Sequence, residues 1–220
     1  MNIAILGAGG HGRFVLDILG LSHPEGLDAG FFDDRAEEMG NVAGVPVLGP
    51  VSALIDNSSF DAAFAAVGDN RARREIQERF EKLGCEFVRV VHPHSAISPR
   101  AQLGDGSIAA AGVVVSVGAV VGRGVILSTL SSVGHDCHVG NYAQLAPGVN
   151  LGGACTIGEG VFLGMGAKVV PLVSVGEWSV VGAGSVVLED LPDRHFCLGV
   201  PARPIRPLAA DELPQGPAAS

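Results

Sequence analysis

The sequence predicts two halves of different construction, an α/β half of βαβαβ order followed by a parallel β-helix. Three observations carry this. A short apolar run from Asn2 to Leu6 ends in the glycine turn Gly7-Ala8-Gly9-Gly10-His11-Gly12 and passes into helical apolar spacing. An aliphatic residue recurs every six positions from Ile97 to Val187. At 220 residues the chain is also long enough to hold two small cores.

The first half, residues 1–92, reads as Rossmann-like. Strand, glycine turn and helix (Arg13 to Leu19) are followed by a second strand, Ala29 to Phe32. That strand ends in Asp33-Asp34, about twenty residues past the last glycine, the place of an acidic residue that reaches a ribose hydroxyl. A third strand, Asp61 to Val67, closes in Gly68-Asp69-Asn70. A polar helix from Arg71 to Leu83 and a strand from Phe87 to Val91 complete the unit. Glycines let the backbone approach a phosphate, and the helix start offers unpaired N–H groups. The unit is too short for a two-halved dinucleotide domain plus a catalytic domain, so a mononucleotide or nucleotide sugar fits it better than NAD. A packing module without ligand is the alternative.

The second half, residues 93–205, is set by its repeat. Of the sixteen positions counted by six from Ile97 to Val187, fifteen are Val, Leu or Ile, with Ala109 the exception. Neither a helix, with period 3.6, nor a strand, with period 2, produces this spacing. Three hexads make one triangular coil of eighteen residues with the aliphatic side chain inward, and about five coils are expected. The glycines that follow the aliphatic positions, such as Gly104, Gly134 and Gly152, are read as the corner residues. Residues eighteen apart then stack at the parallel-strand spacing of roughly 4.8 Å. The general crossover rule would make the coil right-handed. The prism has open ends and Val- and Ala-rich faces; the first half is expected to cap one end, and prisms packed side by side give a homotrimer. The tail, 206–220, carries no readable function.

Composition excludes several classes. A formal charge of −9 and a pI near 5.1, with only Lys82 and Lys168 as lysines, argue against a nucleic-acid partner. Mean hydropathy is +0.38 and Gly106 to Val121 is uncharged, but the six-residue period of small residues there argues against membrane insertion. Met1 to Leu6 has no basic leader, so a cytoplasmic location is expected. Cys85, Cys137, Cys155 and Cys197 have no zinc or CxxC spacing and read as thiols.

Chemistry concentrates in Gly134-His135-Asp136-Cys137-His138. His135 stands third in its hexad, at a corner, with its ring away from the core. An imidazole beside a carboxylate is a general-base arrangement. Two surface histidines on a tight turn are the bland alternative. Stacking by eighteen places Gly153 over His135, where a bare backbone N–H could stabilise an oxyanion. His138 reads as solvated, and Cys137 and Cys155 as a stacked pair inside the prism. A zinc site lacks a third histidine on a neighbouring coil, so no metal is expected.

Together with Phe32-Asp33-Asp34, Val67-Gly68-Asp69-Asn70, His92-Pro93, Leu145-Ala146-Pro147-Gly148 and Gly199-Val200-Pro201-Ala202-Arg203, these motifs resemble one family over nearly the whole chain. It is the sialic-acid O-acetyltransferase and nucleotide-aminosugar N-acetyltransferase family of bacterial surface glycan synthesis. The resemblance implies a left-handed parallel β-helix after the Rossmann-like domain, and acetyl-CoA in the groove between two prisms of a trimer. By position, Gly9, Gly10, His11, Asp33, Asp34 and Gly68 would contact a nucleotide-linked amino sugar. His135 would be the base and Asp136 its partner; Gly153, Met165 and Ala183 would line the acetyl-CoA path. Relatives often carry a histidine where this chain has Gln144, at the thioester end of the cofactor. Glutamine donates a hydrogen bond there but does not titrate. The expected reaction is N-acetylation at C4 of a UDP- or GDP-linked 4-amino-6-deoxy sugar such as GDP-perosamine. O-acetylation of a sialic-acid-like sugar, a silent nucleotide-sugar-binding scaffold and an NAD enzyme are the rivals, and the base (UDP, GDP or CMP) stays open.

Overall fold

A computed structural model of the chain describes residues 2–57, 59–212 and 214. The first half forms a three-stranded parallel sheet in which β1 (Asn2–Leu6) lies between β2 (Asp28–Phe32) and β5 (Ala62–Ala65). Helix α1 (Gly10–Ser22) follows β1 directly, with Gly9 as its N-cap. Gly12 is required there, because a Cβ would run into the carbonyl of Gly7 and the ring of Phe31. Between β2 and β5 the chain makes α2 (Ala36–Met39), a hairpin of β3 (Asn41–Val42) and β4 (Val45–Pro46), and a 3-10 turn at Val51–Asp56. The sequence reading had none of these three, since runs this short carry no period. The polar helix is α3 (Asn70–Glu81), N-capped by Asp69, whose Oδ1 accepts from the N–H groups of Arg71 and Ala72 at 2.9 Å.

The strand expected from Phe87 to Val91 is divided. Phe87 bridges to Ala63 in the first sheet, whereas β6 (Val90–Val91) pairs with Ile108–Ala109 and opens the β-helix. Sixteen two-residue strands follow, β7 (Ala96–Ile97) to β22 (Val186–Val187), one for each hexad counted in the sequence. Residues eighteen apart are partners throughout, as in Val114 with Ser132 and His138 with Thr156. The three faces carry six, five and eight strands, so the solenoid reaches about six turns rather than five. The eight-stranded face ends in the antiparallel hairpin β23 (His195–Gly199) and β24 (Ala202–Pro207).

The corners differ from the sequence reading in one respect. Where a glycine follows the aliphatic residue it permits close stacking: a Cβ on Gly134 would lie 2.6 Å from the Gly152 carbonyl carbon. The sharp turn falls two residues later, where every sixth residue from Gly106 to Gly184 is left-handed, including the non-glycines Leu130, Asp136, Tyr142, Ala154, Leu172 and Trp178.

The first half also sits elsewhere than expected. It packs against a side face of the prism instead of capping an end. On this face the outward residues Val90, Ile108 and Ile126 are buried, and the core of the first domain runs into that of the prism through them. On the other two faces the equivalent outward positions hold residues such as Ser132, Asn150, Lys168, His138 and Thr156. Helix α3 lies along the adjoining edge: Gln77 reaches the Asp105 carbonyl, Arg73 those of Gly124 and Tyr142, and Asn70 that of Gly160. A twelve-residue helix spans about 18 Å, enough to cover the three steps of about 4.8 Å each that separate these four coils.

Candidate functional site

The side-on docking leaves a cleft of about 790 Å³ between the glycine turn and the prism, within the range of ligand pockets. Gly7, Gly9, Gly10, His11 and Gly68 line it from the first domain, and Ile126, Thr129, Gln144 and Pro147 from the prism. Five of the six residues expected at a nucleotide, Gly9, Gly10, His11, Asp33 and Gly68, therefore share one wall. The sixth, Asp34, is exposed, does not line the cleft, and accepts the Val51 N–H at 3.0 Å.

Asp33 is buried and committed to the protein. One oxygen accepts from Ala8 N–H at 2.9 Å, and the other from the N–H and Nε of Arg35 at 3.0 and 3.3 Å. Burial raises its pKa, but these hydrogen bonds outweigh that and hold the carboxyl below its usual range. Asp33 thus shapes the turn and keeps Arg35 in place. Arg35 and Arg13, both exposed, line the cleft and supply positive charge beside the N-terminus of α1. Sequence reasoning passed over both arginines because they follow the glycine and acidic motifs rather than belonging to them. His11 is pushed down to about 4 by burial and then by the Arg73 charge, so its ring is neutral at pH 7. Among the described residues its buried Nε2 has no hydrogen-bond partner, and neither has Oε1 of Gln144 across the cleft wall.

His135 lies elsewhere, on the next corner of the prism. Its Nδ1 is 2.9 Å from Asp136 Oδ2, and both side chains are about two-thirds exposed, at 64% and 67%. The ring stacks directly on Gly153, in the space a Cβ would take, with Nε2 as the nearest atom. The Gly153 N–H donates to no other described residue, whereas the equivalent N–H groups of Arg123 and Glu177 are taken by Asn141 and Asp193 side chains. His138 is exposed. Cys137 and Cys155 are buried behind the corner with thiols pointed at the carbonyls of Gly152 and Val170, and burial raises both, Cys137 to about 11.

Met165 and Ala183 continue the edge of Thr129 and Pro147, each coil bonded to the next from Gly166 N–H to Pro147 O and from Gly184 N–H to Met165 O. This edge is open. Met165 is 62% exposed, and a Cβ at Gly166 or Gly184 would meet nothing. Gln144 and Pro147 stand where this edge meets the cleft. Among the described residues no three His, Cys, Asp or Glu side chains gather as a metal site, and no helix is long and apolar enough to cross a membrane.

A nucleotide-type domain docked on the side of a hexapeptide solenoid, with a His-Asp pair on one corner, defines a left-handed β-helix acyltransferase. Residues 2–80 match the PglD N-terminal domain and residues 154–189 the bacterial transferase hexapeptide repeats. The acetyltransferase domain of PglB from Neisseria gonorrhoeae is 37% identical, over 93% of this chain and 99% of that one, with a TM-score of 0.87. A histidine-to-asparagine variant of perosamine N-acetyltransferase from Caulobacter crescentus, in complex with CoA and GDP-perosamine, is 34% identical over 94% and 97%, also at 0.87. GDP-perosamine N-acetyltransferase of Escherichia coli O157:H7 is 29% identical over 90% of this chain and 84% of its own. The chain belongs to the PglD-type family of hexapeptide-repeat sugar acetyltransferases, and it is an acetyltransferase.

Proposed function

We propose that the protein transfers the acetyl group of acetyl-CoA to the C4 amine of a nucleotide-linked 4-amino-6-deoxy sugar, GDP- or UDP-linked, in a site completed between neighbouring prisms of a homotrimer. The observation that carries the reading is the division of the parts. Nucleotide cleft, Gln144 and the open Met165–Ala183 edge adjoin one another, while His135 projects from the next corner. A second prism packed into the groove brings its own His135 to the first prism's cleft.

The glycine turn and the Arg13 and Arg35 guanidiniums hold the diphosphate. The amine attacks the thioester carbonyl directly; His135 Nε2 takes the amine proton while Asp136 holds Nδ1, the C–S bond breaks, and the imidazolium returns the proton to the sulfur so that the coenzyme leaves as its thiol. The free N–H of Gly153, beside the ring, bonds the developing oxyanion in this reading. That relatives named for GDP-perosamine acetylation resemble the chain over 90% and 94% of its length supports an amine acceptor. The test is a panel of UDP-, GDP- and CMP-linked amino and hydroxy sugars with acetyl-CoA, followed by thiol release. Release with a GDP- or UDP-linked 4-amino sugar is the expected result; release only with a hydroxyl acceptor, or with none, overturns the proposal.

A further inference from the structure

The side chain of Arg73 is wholly buried, yet no carboxylate pairs with it among the described residues. All five of its N–H donors are instead spent on neutral acceptors. Nε donates to Gly124 O at 2.7 Å; Nη1 to Val67 O at 2.9 Å and Gly68 O at 3.4 Å; Nη2 to Tyr142 O and Asn70 Oδ1, both at 2.8 Å. Asn70 belongs to α3 itself, and the four carbonyls come from two places. Gly124 and Tyr142 are left-handed corner residues of successive coils, whose carbonyls the strand ladder leaves unpaired. Val67 and Gly68 follow β5 and line the cleft.

Elsewhere on the prism such corner carbonyls can face water, but α3 covers this edge, so each needs a donor from the protein. A guanidinium can bridge four carbonyls in one plane; a lysine, with three donors on a point charge, cannot. We infer that Arg73 is the positioning residue of the sugar-nucleotide cleft, a cation that fixes the Val67–Gly68 wall to the coil that carries Gln144. Burial presses its pKa down against the opposing pull of Asp69, and it stays cationic at neutral pH. The role rests on the proposed function for the identity of the ligand, but not for the rigidity of the wall.

The test uses the full-length protein with Arg73→Lys and Arg73→Met. The expected result is a rise of at least tenfold in KM for the nucleotide sugar, a change under twofold in KM for acetyl-CoA, and faster amide exchange at residues 67–70 in the ligand-free protein. Equal changes in both KM values, unchanged exchange at 67–70, or loss of the cooperative thermal transition in both variants would overturn the inference, the last because Arg73 would then be a folding residue only. Should the wild type turn over no nucleotide sugar, the proposed function fails, and the exchange measurement still decides the role of Arg73.

Discussion

Gly153 has no need of glycine for its own backbone, since it is not among the left-handed residues. It needs glycine because the His135 ring occupies the space of its side chain. Gly153→Ala therefore displaces the imidazole, and a misplacement of about 1 Å lowers kcat roughly a hundredfold, with the melting temperature nearly unchanged. The double variant with His135→Ala should lose no more than His135→Ala alone; additive losses measured by steady-state kinetics would refute the coupling. His11 gives a stability prediction. Its folded pKa, about 4, lies below the ordinary 6.5, so between those values the unfolded chain binds more protons. Its contribution is complete above pH 6.5 and disappears as pH falls toward 4, by roughly 1 to 3 kcal/mol. Urea titrations at pH 7 and 4.5 should show His11→Asn flattening that loss. The stacking of Gly153 and the His-Asp pair were legible because the period assigns coordinates to residues. Arg13, Arg35 and Arg73 were not, since the first half has no repeat and two of the carbonyls that Arg73 bonds are 51 and 69 residues away.

At the level of elements, the hexads specify the solenoid almost residue by residue, because the inward position is filled by one chemical type in nearly every rung. The docking of the first domain is a subtler pattern. It lies in the residue before each aliphatic one, which on a single face reads Val90, Ile108, Ile126, Phe162 and Val180, with Gln144 interrupting where the cleft opens. Counting outward positions by eighteen would have found it. Ile108→Asp places a charge in this buried seam and should destabilise by about 3 to 5 kcal/mol, whereas Thr156→Asp, outward and exposed on another face, should change stability by less than about 1 kcal/mol. Chemical denaturation of the two variants checks the contrast, and equal losses would mean that the face is not the seam. The hairpin at Asn41–Pro46 remained beyond sequence reading, as two-residue strands with ordinary side chains have no periodicity to detect.

For the molecule as a whole, the decisive feature is that one chain carries both halves of the proposed site on different edges. The cleft and the proposed cofactor edge meet at Thr129 and Pro147; His135 and Gly153 stand a face away. If the site forms between chains, two inactive variants must rescue each other. His135→Ala leaves the cleft intact. Gly9→Trp fills the cleft at a residue with ordinary φ (−75°) and open space around it, leaving His135 intact. In trimers assembled at random from equal amounts of the two, a site is whole when an intact cleft adjoins an intact histidine, which holds for about a quarter of sites. Coexpressed variants should therefore regain about a quarter of wild-type thiol release, while each alone stays inactive and mixing without subunit exchange restores nothing. A site contained within one chain predicts no recovery under any mixing regime, so the recovered fraction both detects the shared site and counts the chains that share it.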